Sequence, residues 1–303
     1  MVKYDLRIIE TVAGLEHVET LQRFVWPGSE SDIVPIHVLI TSIKNGGLVI
    51  GAYSGDEVPQ EKTLIGFVFG FPGFSVRSNG PRLKHVSHML GVHPDHRDAG
   101  LGFALKRAQW QMIRHQGIDL ISWTYDPLLS RNAHLNIHKL GAVCRSYHQD
   151  FYGRMRDRLN VGLPSDRFET EWWVNTRRVE RRLSRRARRS LDLAHYFAAG
   201  AEIINLSTPG ADGWAIPGVT PELPANKKQP GSHTKSSLLL LEIPADFQKM
   251  RETNMELALS WRMHTRPLFE DLFQQGYLVT DFVHLEGQQS RSFYVLSYGE
   301  STL

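Results

Sequence analysis

The sequence predicts an α/β protein: a mixed sheet flanked by helices over residues 1–176, then a C-terminal α/β extension over residues 177–303. Three observations carry that expectation. Short β-rich runs alternate with stretches whose apolar residues recur every three to four positions. A strand-like run ending at Val92 passes through the spacing R-x-x-G-x-G (Arg97, Gly100, Gly102) into an amphipathic run. After Asn175 the composition changes, with eight arginines between Arg177 and Arg189.

Taken in order, "YDLRIIETV" reads as a first strand and "AGLEHVETLQRFVW" as a helix of apolar period three to four. "IVPIHVLITSIKNG" reads as a helix after Pro35, stopped by Asn45, Gly46 and Gly47. "GLVIGAYS" and "TLIGFVFGFPG" are strands joined by the polar loop "GDEVPQEK", a hairpin pattern. "HVSHMLGV" is a strand, "AGLGFALKRAQWQMIRHQG" a helix ending at Gly117, and "IDLISWTYD" a strand. "RNAHLNIHKLG" is a short helix stopped by Gly141, and "AVCRSYHQDFYG" and "RFETEWWVNT" are strands. In the extension, "RRVERRLSRRARRS" fits a basic amphipathic helix, and residues 207–237 an irregular Pro/Gly-rich loop. "LLLLEIP", a long helix from about Ala245 to Gln275, and the strands "YLVTDFVH" and "RSFYVLS" close the chain.

A chain of 303 residues has room for about two domains. Its 41% hydrophobic and 22% charged residues are ordinary for a globular protein. The net charge of +3 favours small anionic ligands slightly without arguing for nucleic acid. The single cysteine, Cys144, excludes an internal disulfide framework and a cysteine-rich metal site, and it suits a reducing cytosol. The N-terminal run lacks the apolar core of a signal peptide, and no apolar run approaches the ~20 residues of a membrane span. The expectation is a soluble, cytoplasmic protein with no membrane partner and no metal.

A strand that turns through glycines into a helix offers unpaired N–H groups and the positive end of the helix dipole, an arrangement suited to phosphate or pyrophosphate. Gly100 and Gly102 carry no side chain to keep an anion from the backbone. The G-x-G-x-x-G of a dinucleotide fold and the lysine–serine pair of a Walker A loop do not occur here.

The flanking residues add a resemblance. "LGVHPDHRDAGLG", residues 90–102, resembles motif A of the GNAT superfamily of acyl-CoA-dependent N-acyltransferases, L-x-V-x-P-x-x-R-x-x-G-x-G. "NAHLNIHKLGA", residues 132–142, resembles the family's motif B, an asparagine and a short helix ending in K-L-G. Together with the element order, the resemblance covers roughly residues 4–176. It implies the GNAT fold with its splayed sheet and acyl-CoA, acetyl-CoA or succinyl-CoA, as cosubstrate. The implied carrier-binding residues are Met89, Leu90 and Val92, through strand backbone, Arg97, Asp98, Ala99, Gly100, Leu101 and Gly102, through the turn, and Asn132. Gly91 suggests a bulge or a close backbone approach on that strand. Asp98 departs from the more basic loops common in the family. The segments "HMLGV", "NIHKLGA", "DFYG" and "EIPADF" further resemble a subset with a long C-terminal extension, predicted acyltransferases linked to N-succinylamino acid racemases.

Acyl transfer to an amine needs a base for the ammonium proton and an acid for the leaving thiolate. His88, on the strand beside the carrier, and Asp126, just past the next strand, are candidate bases. Where the family often places a tyrosine, four residues before the motif B glycine, this chain has Ile137; Tyr147 or Tyr152 could substitute. Asn132 could also cap the motif B helix. Arg262 and Arg266, one helical turn apart, could clamp a carboxylate or pair with Glu270 or Asp271. The acceptor implied by the resemblance is a small-molecule amine, most simply an amino acid. Rival expectations are a non-catalytic acyl-CoA sensor, a protein or peptide N-acetyltransferase, and nucleic-acid association through the arginine run, which a solvated or salt-bridged face explains better. The extension is expected to shape the acceptor site or a homodimer contact.

Overall fold

The structure, a computed structural model, describes residues 3–28, 30–55, 63–77, 80–155, 161–184, 191–219 and 237–299. The expected hairpin loop at 56–62, the arginines within 185–189 and residues 220–236 of the expected irregular loop lie outside them. The chain forms two compact units. The first comprises Met1–Trp123, Met155–Val161 and Trp173–Asn175, the second Thr124–Arg154, Gly162–Trp172 and Thr176–Leu303. The sequence expectation put residues 1–176 in one domain, whereas residues 124–154, 162–172 and 176 onward cluster in the second unit.

In the first unit, β1 (Tyr4–Ile8) leads into α1 (Val12–Val25), whose N-cap Thr11 accepts a bond from the Gly14 amide. Leu15, Val18, Leu21 and Val25 form the buried stripe of α1, set by their three-to-four spacing. α2 (Ile36–Lys44) starts after Pro35, as expected, and stops where Gly46 takes φ +86°. β2 (Leu48–Ser54), β3 (Leu64–Arg77), β4 (Gly80–Val92) and, after α3 (Leu101–His115), β5 (Leu120–Tyr125) complete the sheet in the order β1-β2-β3-β4-β5. Neighbours are antiparallel except β4 and β5, which run parallel. Val18, Leu39, Val49, Phe67 and Phe69 are fully buried between the sheet and α1 and α2.

The second unit continues with α4 (Ser130–Ala133), a π-helical turn over His134–Lys139, β6 (Val143–His148) and β7 (Arg167–Trp173). The chain order up to β7 is the β-α-α-β-β-β-α-β-α-β-β read from the sequence. There follow α5 (Arg177–Leu183), α6 (Leu193–Ala198), β8 (Glu202–Ile203), β9 (Thr208–Pro209), β10 (Ala215–Ile216) and β11 (Leu238–Ile243). The unit closes with α7 (Phe247–Thr253), α8 (Met255–Gln274), β12 (Tyr277–Leu285) and β13 (Arg291–Tyr298). Its strands lie in the order β7-β6-β12-β13-β11-β8. Phe168, Trp261, Phe269, Phe282 and Tyr294 dominate its core.

Three elements differ from the sequence expectation. The single long helix expected from about Ala245 is two helices, because Asn254 is extended and turns its side chain onto the Leu257 amide as an N-cap for α8. α6 was not anticipated; Asp192 and His195 build a capping box that starts it. Within the Pro/Gly-rich stretch, β9 and β10 form a short antiparallel ladder.

Candidate functional site

β4 leaves its parallel neighbour early. The β4–β5 ladder holds at His85↔Ile121 and Val86↔Ser122, and β4 then continues to Val92 while paired on its other edge with β3. The backbone groups of Met89 to Val92 that point away from β3 therefore lie beyond that ladder. Between them is a bulge: the β3–β4 register shifts between Phe69↔Met89 and Phe71↔Val86, so Ser87 and His88 stand opposite Gly70. Only glycine permits this at position 70, since a Cβ there would lie 2.2 Å from His85 Nε2 and 2.5 Å from the Val86 carbonyl. The bulge sits at residues 87–88 and not at Gly91. Gly91 instead admits aromatic rings, with a Cβ 2.8 Å from Phe67 and 3.3 Å from Trp26.

His88 is exposed as a residue, yet its ring lies against Phe69 (5.9 Å between centres) and Phe71 (5.7 Å). Loss of water on that side lowers its pKa below the ordinary imidazole value, so the ring is neutral at pH 7.

From Val92 the chain makes one 3-10 turn over Pro94–His96 and then takes two left-handed residues, Asp98 (φ 64°) and Gly100 (φ 79°), before α3 begins. Gly100 is the N-cap, and no side chain caps the helix. The first helical bond is Ala104 N–H to the Gly100 carbonyl at 3.1 Å, so the preceding amides of the first turn have no acceptor within the helix. Asp98, Ala99 and Gly100 are exposed, whereas Leu101 and Leu105 anchor the helix in the core. A polar N-cap would have occupied one of those amides; the glycine cap does not.

Sequence reasoning missed a buried polar cluster beneath the fork. Lys106, 2% exposed, donates to Ser87 Oγ and Gln109 Oε1, both at 2.9 Å, and its Nζ lies 3.6 Å from the centre of the Trp123 ring. It thereby joins β4 to β5 just past their last paired residues. Burial pushes the Lys106 ammonium well below its ordinary value and takes His85, bonded through Gln109 Nε2, down to about 3. The available signal was positional: Lys106 and Gln109 share the buried face of α3 with Leu105 and Ile113.

In the second unit, Asp126, Tyr147, Arg262 and Arg266 come together with Asp166 and Arg167. Asp126 accepts from the Leu128 amide at 2.9 Å and from Arg262 Nη2 at 2.5 Å, so both its oxygens are engaged. The Tyr147 hydroxyl donates to Asp166 at 2.6 Å, and burial raises its pKa strongly. Arg266 pairs with Asp166 through Nε (2.8 Å) and Nη2 (2.9 Å), and Glu270 instead accepts from Gln149. The pairing of the two arginines with Glu270 or Asp271 is thus replaced by Asp126 and Asp166. Tyr152 is exposed, its hydroxyl 2.8 Å from Thr124 Oγ1.

Asn132 is the third residue of α4, whose N-cap position is Leu129, so the capping role expected of it does not apply. Ile137 is fully buried in the core of the unit. Two arginines of the basic run are structural: Arg178 Nε donates to the Gly141 carbonyl at 2.9 Å, and Arg182 donates to the His138 carbonyl and to Asp281. Both cations sit at the C-terminal end of the motif B turn, where the carbonyls favour positive charge. Among the described residues no group of His, Cys, Asp or Glu is placed to hold a metal ion, and no helix is long and apolar enough to cross a membrane.

No family model and no curated protein sequence matches this chain. Solved structures do. Arabidopsis thaliana NAA60, in complex with a bisubstrate analogue, is 18% identical, with 57% of this chain and 100% of that one covered at a TM-score of 0.44. The ribosomal-protein-S18-alanine N-acetyltransferase of Escherichia coli is 12% identical over 57% of this chain and 96% of its own, at 0.42. An IAA acetyltransferase from Bacillus cereus is 13% identical over 56% of this chain and 98% of its own, at 0.39. At such identities and scores these proteins lend this chain no chemistry.

Proposed function

We propose that this protein transfers an acyl group from acyl-CoA to an amine, with residues 1–176 as a GNAT-type carrier-binding domain. One observation carries the reading: a strand edge that leaves its neighbour runs directly into a helix N-terminus capped by left-handed Gly100 and no side chain. The backbone of Met89, Leu90 and Val92 would bond the pantetheine arm, and the amides of the Arg97–Gly102 turn would hold the diphosphate. Acyl-CoA supplies the activated thioester carbonyl. His88, neutral and within the bulge, takes the proton from the substrate ammonium and so frees the amine lone pair to attack. Asp126 already serves as counter-ion to Arg262, which leaves His88 as the base we assign. The proton for the leaving thiolate is best drawn from water, since the Tyr147 hydroxyl is given to Asp166.

The acceptor we favour is a small amino acid, the donor acetyl- or succinyl-CoA, and the compartment the cytosol. A second reading, a carrier-binding sensor without turnover, is favoured by the buried Ile137 at the tyrosine position. A thiol-release assay with both donors and a panel of D- and L-amino acids separates them: turnover with any amine ends the sensor reading, and tight CoA binding with no turnover ends the enzyme reading.

His88→Gln is expected to lower kcat/KM by about 10²–10⁴-fold. The sign of the pH dependence follows from the depressed pKa. Wild-type activity holds at neutral pH and falls as the pH drops through a value below that of free imidazole. The variant should lose that acidic limb; a limb that persists unchanged removes His88 as base.

A further inference from the structure

In the charged cluster of the second unit, Arg167, Arg262 and Arg266 gather around the carboxylates of Asp126 and Asp166. The carboxylates are taken up: Asp126 by Arg262 and the Leu128 amide, Asp166 by Arg266, Tyr147 and the Asp150 amide. Arg266 spends Nε and Nη2 on Asp166, with Nη1 3.5 Å from Gln149 Oε1. Arg167 donates to the Asp166 carbonyl at 2.9 Å and lies over the Tyr152 ring.

Arg262 is different. It is 0% exposed, held inward because α8 buries it on the stripe that carries Ala258, Trp261, Thr265 and Phe269. Among the described residues only Nη2 has a hydrogen-bond acceptor; Nε and Nη1 are buried without one, and the Phe247 ring lies 5.4 Å from Cζ. A guanidinium stripped of water keeps unmade bonds only at a substantial cost, and a carboxylate is the group whose geometry and charge best meet it.

We propose that Arg262 is the seat for one carboxylate of a small ligand, whose oxygens would meet the two donors of the guanidinium that no described residue takes up. Arg266 is a positioning residue: by clamping Asp166 it holds the acceptor of the Tyr147 hydroxyl in place. Because Arg262 is enclosed, admission of the ligand requires the Phe247 ring beside its guanidinium to move. That this carboxylate is carried by the amine acceptor rests on the acyl-transfer reading; the anion seat does not.

The test uses the full chain without acyl-CoA and titrates glycine, L-alanine, D-alanine, propionate and ethylamine by calorimetry and thermal shift. Carboxylate-bearing probes should bind and raise Tm, and ethylamine should not. Arg262→Lys should weaken the best probe by at least about tenfold, because ammonium cannot reproduce the planar donor set. The pair Arg262→Met with Asp126→Asn removes both charges together, leaves Arg167 its bond to the Asp166 carbonyl, and should abolish carboxylate binding with the fold retained. Failure of every carboxylate to bind the wild type, or equal binding to the double variant, overturns the proposal. Carboxylate binding without turnover in the thiol-release assay sustains the anion seat while removing the transfer reading. Turnover with ethylamine and no carboxylate binding does the reverse.

Discussion

Gly100→Glu should raise the KM for acyl-CoA by about 100-fold, equivalent to about 2.7 kcal/mol, while the chain still folds. Two effects add. Position 100 sits at φ +79°, where a side chain costs about 1–2 kcal/mol, so the turn is driven to reshape. The new carboxylate also stands at the helix N-terminus, where the carrier's diphosphate would lie, and like charges repel there. A Cβ at this position would meet nothing within 4 Å, so steric damage to the core is not expected and Tm should fall only modestly. Gly100→Ala separates the two effects, since it carries the strain without the charge and should raise KM by about tenfold or less. Calorimetric titration with CoA, alongside steady-state kinetics, measures both. An unaltered KM in the glutamate variant would place the diphosphate elsewhere and remove the base of the functional reading.

The second large effect is on stability. Asp281, at the β12 bulge, accepts from Arg182 at 2.7 Å, from the Tyr196 hydroxyl at 2.7 Å and from its neighbour's amide at 2.9 Å, with His138 Nδ1 at 3.1 Å. It ties α5, α6 and the motif B turn to the sheet of the second unit. Asp281→Ala strands a buried Arg182, whose side chain is 6% exposed, and should cost about 3–5 kcal/mol in urea unfolding. Burial alone would raise the Asp281 pKa; the bonds from His138 and Arg182 outweigh it and hold the carboxyl well below its ordinary value. Its contribution is therefore complete above the unfolded value of about 3.9 and is lost as the pH falls through the depressed folded value. Asp281→Asn should flatten that acid-side loss. A variant within 1 kcal/mol of wild type, flagged by roughly unchanged urea midpoints, would mean the hub carries little of the unit's stability.

Much of the fold was legible because the signals are local. The three-to-four spacing of Leu15, Val18, Leu21 and Val25, Pro35 before α2, and Gly100 at a positive φ each act through neighbours a few residues away. The same holds for the candidate carrier turn, whose amides belong to consecutive residues. Less legible was the break at Asn254, where a cap preference of one residue outweighed a continuing apolar pattern. The Gly91 signal was read as a bulge or a close backbone approach because glycine alone does not say whether backbone or ring will fill the vacant Cβ. The arginine run was read as a solvated or salt-bridged face; Arg182 does pair with Asp281, while the turn of Arg178 and Arg182 onto the carbonyls of Gly141 and His138 was not legible in charge density.

By itself the sequence determined the order of the strands and helices up to β7 and the turn at Gly100, because periodicity, capping and glycine's freedom at positive φ are properties of short stretches. Tertiary structure alone decided the partners. Lys106 finds Ser87 and Trp123 only once α3 lies across the fork of β4 and β5. Arg262 meets Asp126 across 136 residues of chain, and Tyr147 meets Asp166 only when β6 and β7 pair. Such contacts depend on which buried faces meet, and a buried charge takes whichever counter-charge the packing brings, a choice no local pattern encodes.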